Sequence, residues 1–431
     1  MAAPTLASTN GGKTAALGKT APMDHSVPAV SSRRRSTSRE ETPAFAQVRL
    51  LMGHESEVIT CAWNPNEAIS LLASASGDGT VRLWTVPAEG PWSVEDAQLS
   101  VKILDHRPDS EAPDDGGVNR DVTAMAWSAD GQILATGCYD GKARLWSADG
   151  ELLAVLSGHQ GPIFQLQFCP PPGEFLATVG LGPAVVIWSL ATRSIHLTLD
   201  HHDAPALDVD WRDAHVFATC SSDQQILLYD LATCQQHQPS PDNRGASPAP
   251  AAPARSLAPS LRLQGHTDEV NSIRWSPDGT HLASCSDDQS ARMWRVARDL
   301  SQAELTGLLT GHGKEIYTIK WSRDGAIVAT ASFDGSVKVW DAQQAVCRAT
   351  LRHHSQPVYA IAFSPCGRYL ASGGLDAAIC LWSLDAAEGD EAYRLVRLYR
   401  GKGGIFEVSW SVVGRRVAAC TSDAALCVLE V

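Results

Sequence analysis

Histidine, aspartate and tryptophan recur along this chain at fixed distances, and the first two are groups that can pass protons or bind metals. Asp78, Asp140, Asp223, Asp288, Asp334, Asp376 and Asp423 each lie six residues before the end of a short apolar run. The runs close on Trp84, Trp146, Tyr229, Trp294, Trp340, Trp382 and Leu429, and Gly182 stands six before an eighth closing residue, Trp188. A second aromatic series comprises Trp63, Trp127, Phe168, Trp211, Trp275, Trp321, Phe363 and Trp410. Nine residues ahead of its members come His54, His159, His202, His266, His312 and His354; repeat two has Val118 there, with His106 displaced by an insertion, and repeat eight has Gly401. An acid-base or metal reading of these residues finds no supporting motif. There is no GxGxxG, P-loop, GxSxG, HExxH or EF-hand pattern. Each His, Asp and Trp set reads instead as a structural tetrad with a Ser or Thr of a neighbouring strand, because buried polar groups need partners. No enzyme activity, cofactor or metal is expected.

The elements that position these residues follow from the repeat. Separations of 62, 42, 41, 65, 46, 42 and 47 between closing residues give a period near 42 with two insertions. Each unit runs Gly-His, an alternating strand ending in Trp, a Ser-Pro-Asp-Gly-like turn, an LASxS strand, an Asp-Gly-like turn and a third strand. SPDG at 276–279 and SPCG at 364–367 are turn sequences, and GDGT at 77–80 and FDGS at 333–336 are hairpin signals. Twelve of the thirteen tryptophans fall in the two repeated slots, and Trp92, in an insertion, does not. The units resemble the WD40 repeat over residues 47–431. That resemblance implies an all-β fold, an eight-bladed β-propeller of four-stranded blades. The chain ends on a third strand, so residues 47–51, QVRLL, are expected to supply the missing outer strand and close the ring.

Composition bounds the partners. The formal charge is 35 − 48 = −13, which speaks against direct nucleic-acid binding. No apolar run approaches the roughly 20 residues that span a bilayer, so no membrane partner is expected. Eleven scattered cysteines without a CxxC, and no secretory segment or glycosylation sequon, favour a reducing intracellular compartment. Residues 1–43 read as a disordered basic tail preceding a propeller domain at 44–431. Its cluster SRRRSTSR at 32–39 fits a nuclear import signal, a kinase site at Ser36 or, with its lack of acids, a transit peptide. The stretches 86–100 and 233–260 are insertions, and 105–117 is an acidic loop carrying Asp109, Glu111, Asp114 and Asp115.

In propellers of this kind, the loop entering each inner strand and the turn before the repeated Asp build one rim. Preceding the inner-strand apolar residue come Glu57, Asp121, Pro162, Pro205, Glu269, Glu315, Pro357 and Gly404. One residue beyond it come Ile59, Thr123, Phe164, Leu207, Asn271, Tyr317, Tyr359 and Phe406. Before the repeated Asp come Gly77, Tyr139, Leu181, Ser222, Asp287, Phe333, Leu375 and Ser422. The candidate site is Glu57, Asp121, Tyr139, Phe164, Glu269, Asp287, Glu315, Tyr317, Phe333, Tyr359 and Phe406. An acidic mouth lined with rings suits a Lys- or Arg-bearing peptide.

GHESEVITCAWNP (53–65), GPIFQLQF (161–168), GHTDEVNSIRW (265–275), ASFDGSVKVWD (331–341), PVYAIAFSPCGRYLASG (357–373) and GGIFEVSW (403–410) are similar to the transducin beta-like family. The resemblance implies a nuclear scaffold in the nuclear receptor corepressor and histone deacetylase complex. Its partners would be corepressor and histone deacetylase subunits, with histone tails or other basic peptides on the propeller. Family members also carry N-terminal LisH and F-box-like segments that this chain is read as lacking, which leaves the oligomeric state open. A substrate receptor or adaptor of a ubiquitin ligase is the alternative. That class shows Trp-Asp-x-Arg at repeat ends, whereas Trp340-Asp341 is followed by Gln343 and no closing tryptophan has Arg three residues on. A cytoplasmic assembly scaffold is a third reading, separated from the first by where the protein resides.

Overall fold

The structure, a computed structural model, describes residues 43–86, 100–106, 119–182, 184–234, 257–385 and 393–431. The basic cluster with Ser36, Trp92, the loop acids Asp109, Glu111, Asp114 and Asp115, and most of the 233–260 insertion lie outside the described residues. Within them, thirty-two strands pair into eight antiparallel four-stranded sheets. The molecule is an all-β, eight-bladed propeller, with blades numbered here in chain order from the inner strand Val58–Trp63 to the inner strand Ile405–Trp410.

Burial explains the composition of the strands. The second strand of a blade is covered on both faces by neighbouring blades, and Val216–Ser221 and Ile327–Ser332 are buried at every position. Small and apolar residues are therefore required there, as in LASCS. Outer strands such as Ala303–Leu309 bury only alternate residues. The turns follow the backbone: Gly279 (φ 68°) and Gly367 (φ 72°) end the Ser-Pro-x-Gly turns in the left-handed region that glycine enters at no steric cost. In the Asp-Gly hairpins the same conformation is held by Gly79, Gly141 and Gly335, but by Gln224, Gln289, Ala377 and Ala424 in blades that lack the glycine.

The ring closes across the chain termini. Gln47–Met52 pairs in antiparallel register with Ala425–Glu430, from Gln47 opposite Glu430 to Met52 opposite Ala425, as the outermost strand of blade 8. Just upstream, Leu398 of blade 7 donates its N–H to the Pro43 carbonyl at 3.3 Å, and Phe45 is buried among Ile379, Leu381 and Val417. The N-terminal segment thus ties blade 7 to blade 8. Across the closing seam, Val58, Leu72 and Trp84 of blade 1 pack with Ala418, Leu426 and Val428 of blade 8. The 233–260 insertion leaves blade 4 after its third strand, and the blade resumes with the short outer strand Leu261–Leu263.

Candidate peptide-binding rim

The His, Asp and Trp repeats form relays inside the blades. In blade 5, the Trp294 indole donates to Ser284 Oγ (3.1 Å), Ser284 bonds His266 Nε2 (2.8 Å), and His266 Nδ1 donates to Asp288 (2.8 Å). Asp288 also accepts the backbone N–H of Thr267 at 3.1 Å, which pins the loop entering the inner strand. The same chain runs through His54, Asp78, Ser74 and Trp84, through His312, Asp334, Thr330 and Trp340, and through His354, Asp376, Ser372 and Trp382. Burial opposes ionisation of these acids, yet hydrogen bonds led by His354 hold Asp376 at about 2. Blade 4 keeps His202, Asp223 and Thr219 with Tyr229 in the tryptophan slot, and blade 3 keeps His159, Thr178 and Trp188 without an acid.

Two residues depart from the expected pattern. His106, at the end of the outer strand of blade 1, takes the imidazole place in blade 2: its Nε2 lies 2.8 Å from Thr136 Oγ1, and Trp146 donates to the same hydroxyl at 3.0 Å. Asp140, expected to accept from a histidine, is instead bound by Arg144 Nη2 at 2.8 Å, a closer fit for a guanidinium four residues along the hairpin. In blade 8, Gly401 brings no imidazole. There a side chain at Gly403 would meet Asp423, its Cβ 2.6 Å from the Asp423 nitrogen.

With the loops pinned, the rim slots fall into one repeated geometry. In all eight blades the residue before the repeated Asp donates its backbone N–H to the residue that precedes the inner strand. The pairs are Gly77–Glu57, Tyr139–Asp121, Leu181–Pro162, Ser222–Pro205, Asp287–Glu269, Phe333–Glu315, Leu375–Pro357 and Ser422–Gly404, at 2.8–3.1 Å. The slot one residue into each inner strand is a β-bulge. Ile59, Thr123, Phe164, Leu207, Asn271, Tyr317, Tyr359 and Phe406 are each skipped in the pairing with the second strand. A bulge unpairs one residue and re-aims its side chain. The alternation of the sequence carries no sign of it, because the shift is visible only in the partner's register.

The structure divides the candidate residues into groups. Tyr317, Phe333, Tyr359 and Phe406 of blades 6 to 8 pack on one another, with centroid separations of 5.7 Å for Tyr317–Phe333, 4.8 Å for Tyr317–Tyr359, 5.1 Å for Phe333–Tyr359 and 6.3 Å for Tyr359–Phe406. Phe164 and Tyr139 sit on blades 3 and 2, apart from this stack. Acids gather beside the rings on blades 5 and 6. Glu269 accepts from Ser222 Oγ of blade 4 at 3.0 Å. Asn271 donates both to Asp287 (2.5 Å) and to the Ile316 carbonyl (3.0 Å), locking blade 5 to blade 6. Burial raises the Asp287 carboxyl above its ordinary value, and the charges of Glu269, Asp268 and Glu315 push it further against the Asn271 hydrogen bond. A second acidic pair, Glu57 and Asp121, spans blades 1 and 2; burial, then Glu57, raises Asp121. In both places a nearby positive charge would relieve the mutual repulsion. The same loops carry exposed Glu55, Asp203 and Asp268, with Lys314 and Lys402 as nearby bases.

The WD40 family, described as "WD domain, G-beta repeat", matches residues 45–85, 116–147, 258–295, 303–341 and 345–383. These are blades 1, 2, 5, 6 and 7; the blades it passes over are those with a missing acid, a tyrosine in place of tryptophan, or no histidine. The chain is 38% identical over 390 residues, 89% of its length and 61% of the relative's, to the human F-box-like/WD repeat-containing protein TBL1X. It is 38% identical over 400 residues, 91% of its length and 59% of the relative's, to the WD40 repeat-containing protein HOS15 of Arabidopsis thaliana. The chain therefore spans about three fifths of these relatives. Among solved structures, the C-terminal WD40 domain of Sif2 superposes with a TM-score of 0.72 at 21% identity, covering 90% of this chain and 99% of that one, a likeness of fold.

Proposed function

The chain belongs to the WD40-repeat proteins, with transducin beta-like proteins among its relatives, and from that premise we propose that it is a non-enzymatic scaffold of a nuclear corepressor complex. In this reading its rim holds basic peptide segments, unmodified histone tails among them, while histone deacetylase and corepressor subunits are its partners. The observation that carries the rim assignment is the juxtaposition of Glu269, Asp287 and Glu315 with the stacked rings of Tyr317, Phe333 and Tyr359. Carboxylates held at fixed positions give charge-assisted hydrogen bonds to a lysine or arginine, and the rings add cation-π and apolar contact to its stem. Because the four rings lie against each other, they offer a surface rather than an open cage.

Affinity purification of the full chain from its own cells, read by mass spectrometry, tests the scaffold reading. Recovery of a histone deacetylase with corepressor subunits is expected. Recovery of cullin adaptors in their place would overturn it in favour of a ubiquitin-ligase receptor.

A further inference from the structure

At the end of the inner strands remote from the rim, the residue just before the aromatic that ends each strand reads Ala62, Ala126, Gln167, Asp210, Arg274, Lys320, Ala362 and Ser409 around the ring. Charge in this series is confined to blades 4 to 6. There the three strand ends and the turns after them line a cavity of about 370 Å³. Its walls present four cations, Arg212, Arg274, Lys320 and Arg323, against one acid, Asp210, in a chain whose net charge is −13.

Acceptors at this place are already occupied. Asp210 takes hydrogen bonds from Gln167 Nε2 (3.0 Å) and from the Trp275 backbone N–H (2.6 Å). Asp208, two residues nearer the rim, takes Ser272 Oγ (2.8 Å), the Ile273 N–H (3.1 Å) and Arg274 Nη1 (2.5 Å). Donors remain in excess. The Arg212 side chain is only 9% exposed; its Nε reaches Asp213 and its Nη2 the Arg298 carbonyl, both at 3.0 Å, but its buried Nη1 has no acceptor. The guanidinium lies 5.6 Å from the centre of the Trp275 ring. The indole N–H of Trp275 is likewise buried without an acceptor. Its counterparts Trp63, Trp127, Trp211, Trp321 and Trp410 donate to the preceding blade's inner strand at 2.9–3.2 Å. Lys320 makes no hydrogen bond among the described residues, and neighbouring Arg274, with burial, depresses its ammonium below the ordinary lysine value. Glu407 also faces Lys320, and burial raises its carboxyl, weakening that counter-charge.

We propose that this cavity binds a phosphoryl group, through Arg212 Nη1, the Trp275 indole N–H and Lys320, with Arg274 and Arg323 supplying further positive charge. Buried donors left unfilled are costly, and a tetrahedral oxyanion fills several at once, where a carboxylate has two oxygens to offer. The phosphoryl group can come from a small phosphate ester or from a phosphoserine side chain of a peptide. The site is independent of the rim reading, which concerns the other end of the ring.

Calorimetric titration of the full chain at constant ionic strength, with inorganic phosphate, a phosphoserine peptide, and the same peptide carrying serine or glutamate, tests this. Saturable phosphate binding is expected. Lys320→Gln, which loses no hydrogen bond on folding, should weaken it by about tenfold, Trp275→Phe by less, and charge reversal at Glu269 and Glu315 should leave it unchanged. Tighter binding of the phosphoserine peptide than of phosphate identifies a peptide source; equal or weaker binding identifies a free ester. Absence of saturable binding by phosphate and phosphopeptide alike, undiminished binding by Lys320→Gln, or equal binding of the glutamate peptide would each overturn the proposal.

Discussion

At the scale of single residues, the molecule rests on polar relays that must be completed once they are buried. His106 shows how far structure overrides spacing, since it completes the Thr136–Trp146 pair although the insertion moves it out of the nine-residue register. His106→Ala is expected to destabilise the protein by about 1–3 kcal/mol in urea unfolding, because Thr136 loses a buried hydrogen-bond partner and the Trp146 ring a packing neighbour. A cost near zero would show that the imidazole is incidental. The same burial sets a pH dependence. Burial lowers His159 from 6.5 to about 4 and His106 from 6.5 to about 3. Both are therefore neutral when folded, and the unfolded chain binds more protons below pH 6.5. Stability is fully present above 6.5 and lost as the pH falls from there toward 4, by about 3 kcal/mol from His159 alone at about 1.4 kcal/mol per pH unit. His159→Gln should flatten the dependence of melting temperature on pH in that window; an unaltered slope would contradict the assignment. The regular histidines, aspartates and tryptophans were legible from spacing alone. Arg144 at Asp140 was not, because an arginine four residues along a hairpin has no distinctive signature until the side chains are placed.

At the scale of elements, the turns and strands follow closely from the sequence, and the bulges do not. Gly279 and Gly367 stand where a positive φ is needed, so the Pro-x-Gly segments announced their turns. Ala377 and Ala424 adopt the same conformation with no glycine to mark it, under the constraint of the surrounding blade. The bulge at the second position of each inner strand is set by hydrogen bonds to another strand, and local alternation cannot encode it. Yet the bulge is what distinguishes the residues of the candidate rim, Phe164, Tyr317, Tyr359 and Phe406 among them, from ordinary inner-strand positions. The closing strand is also an element-level matter. Deleting residues 44–52 removes six ladder partners of Ala425–Glu430 and the buried ring of Phe45. A marked fall in melting temperature, with earlier hydrogen exchange in blade 8 than elsewhere, is expected. Unchanged unfolding of the truncated chain would sink the closure account.

For the whole molecule, repetition fixes the architecture, and departures from repetition carry whatever is particular to it. Five of the eight blades match the family pattern, and the other three close the ring by packing although their relays are incomplete. Inner strands of neighbouring blades touch all the way round, including blade 8 with blade 1, so the ring holds its two ends in fixed relation. One end gathers Glu57, Asp121, Glu269, Asp287 and Glu315; the other concentrates Arg212, Arg274, Lys320 and Arg323 on blades 4 to 6. The acidic end could be sought in the sequence once equivalent slots were aligned. The basic end could not be singled out there, because a cation in the slot before an inner-strand aromatic acquires meaning only through the unfilled donors and shared walls that surround it in the fold.

The central claim, that the acidic rim binds basic peptides, is tested most directly by titrating an unmodified histone-tail peptide into the full chain and into a Glu269→Lys, Glu315→Lys double variant. The account predicts binding that weakens as salt is raised, loss of that binding in the double variant, and melting temperatures of the two proteins within about 2 °C of each other. Undiminished affinity in the double variant would show that basic peptides, if they bind at all, bind elsewhere.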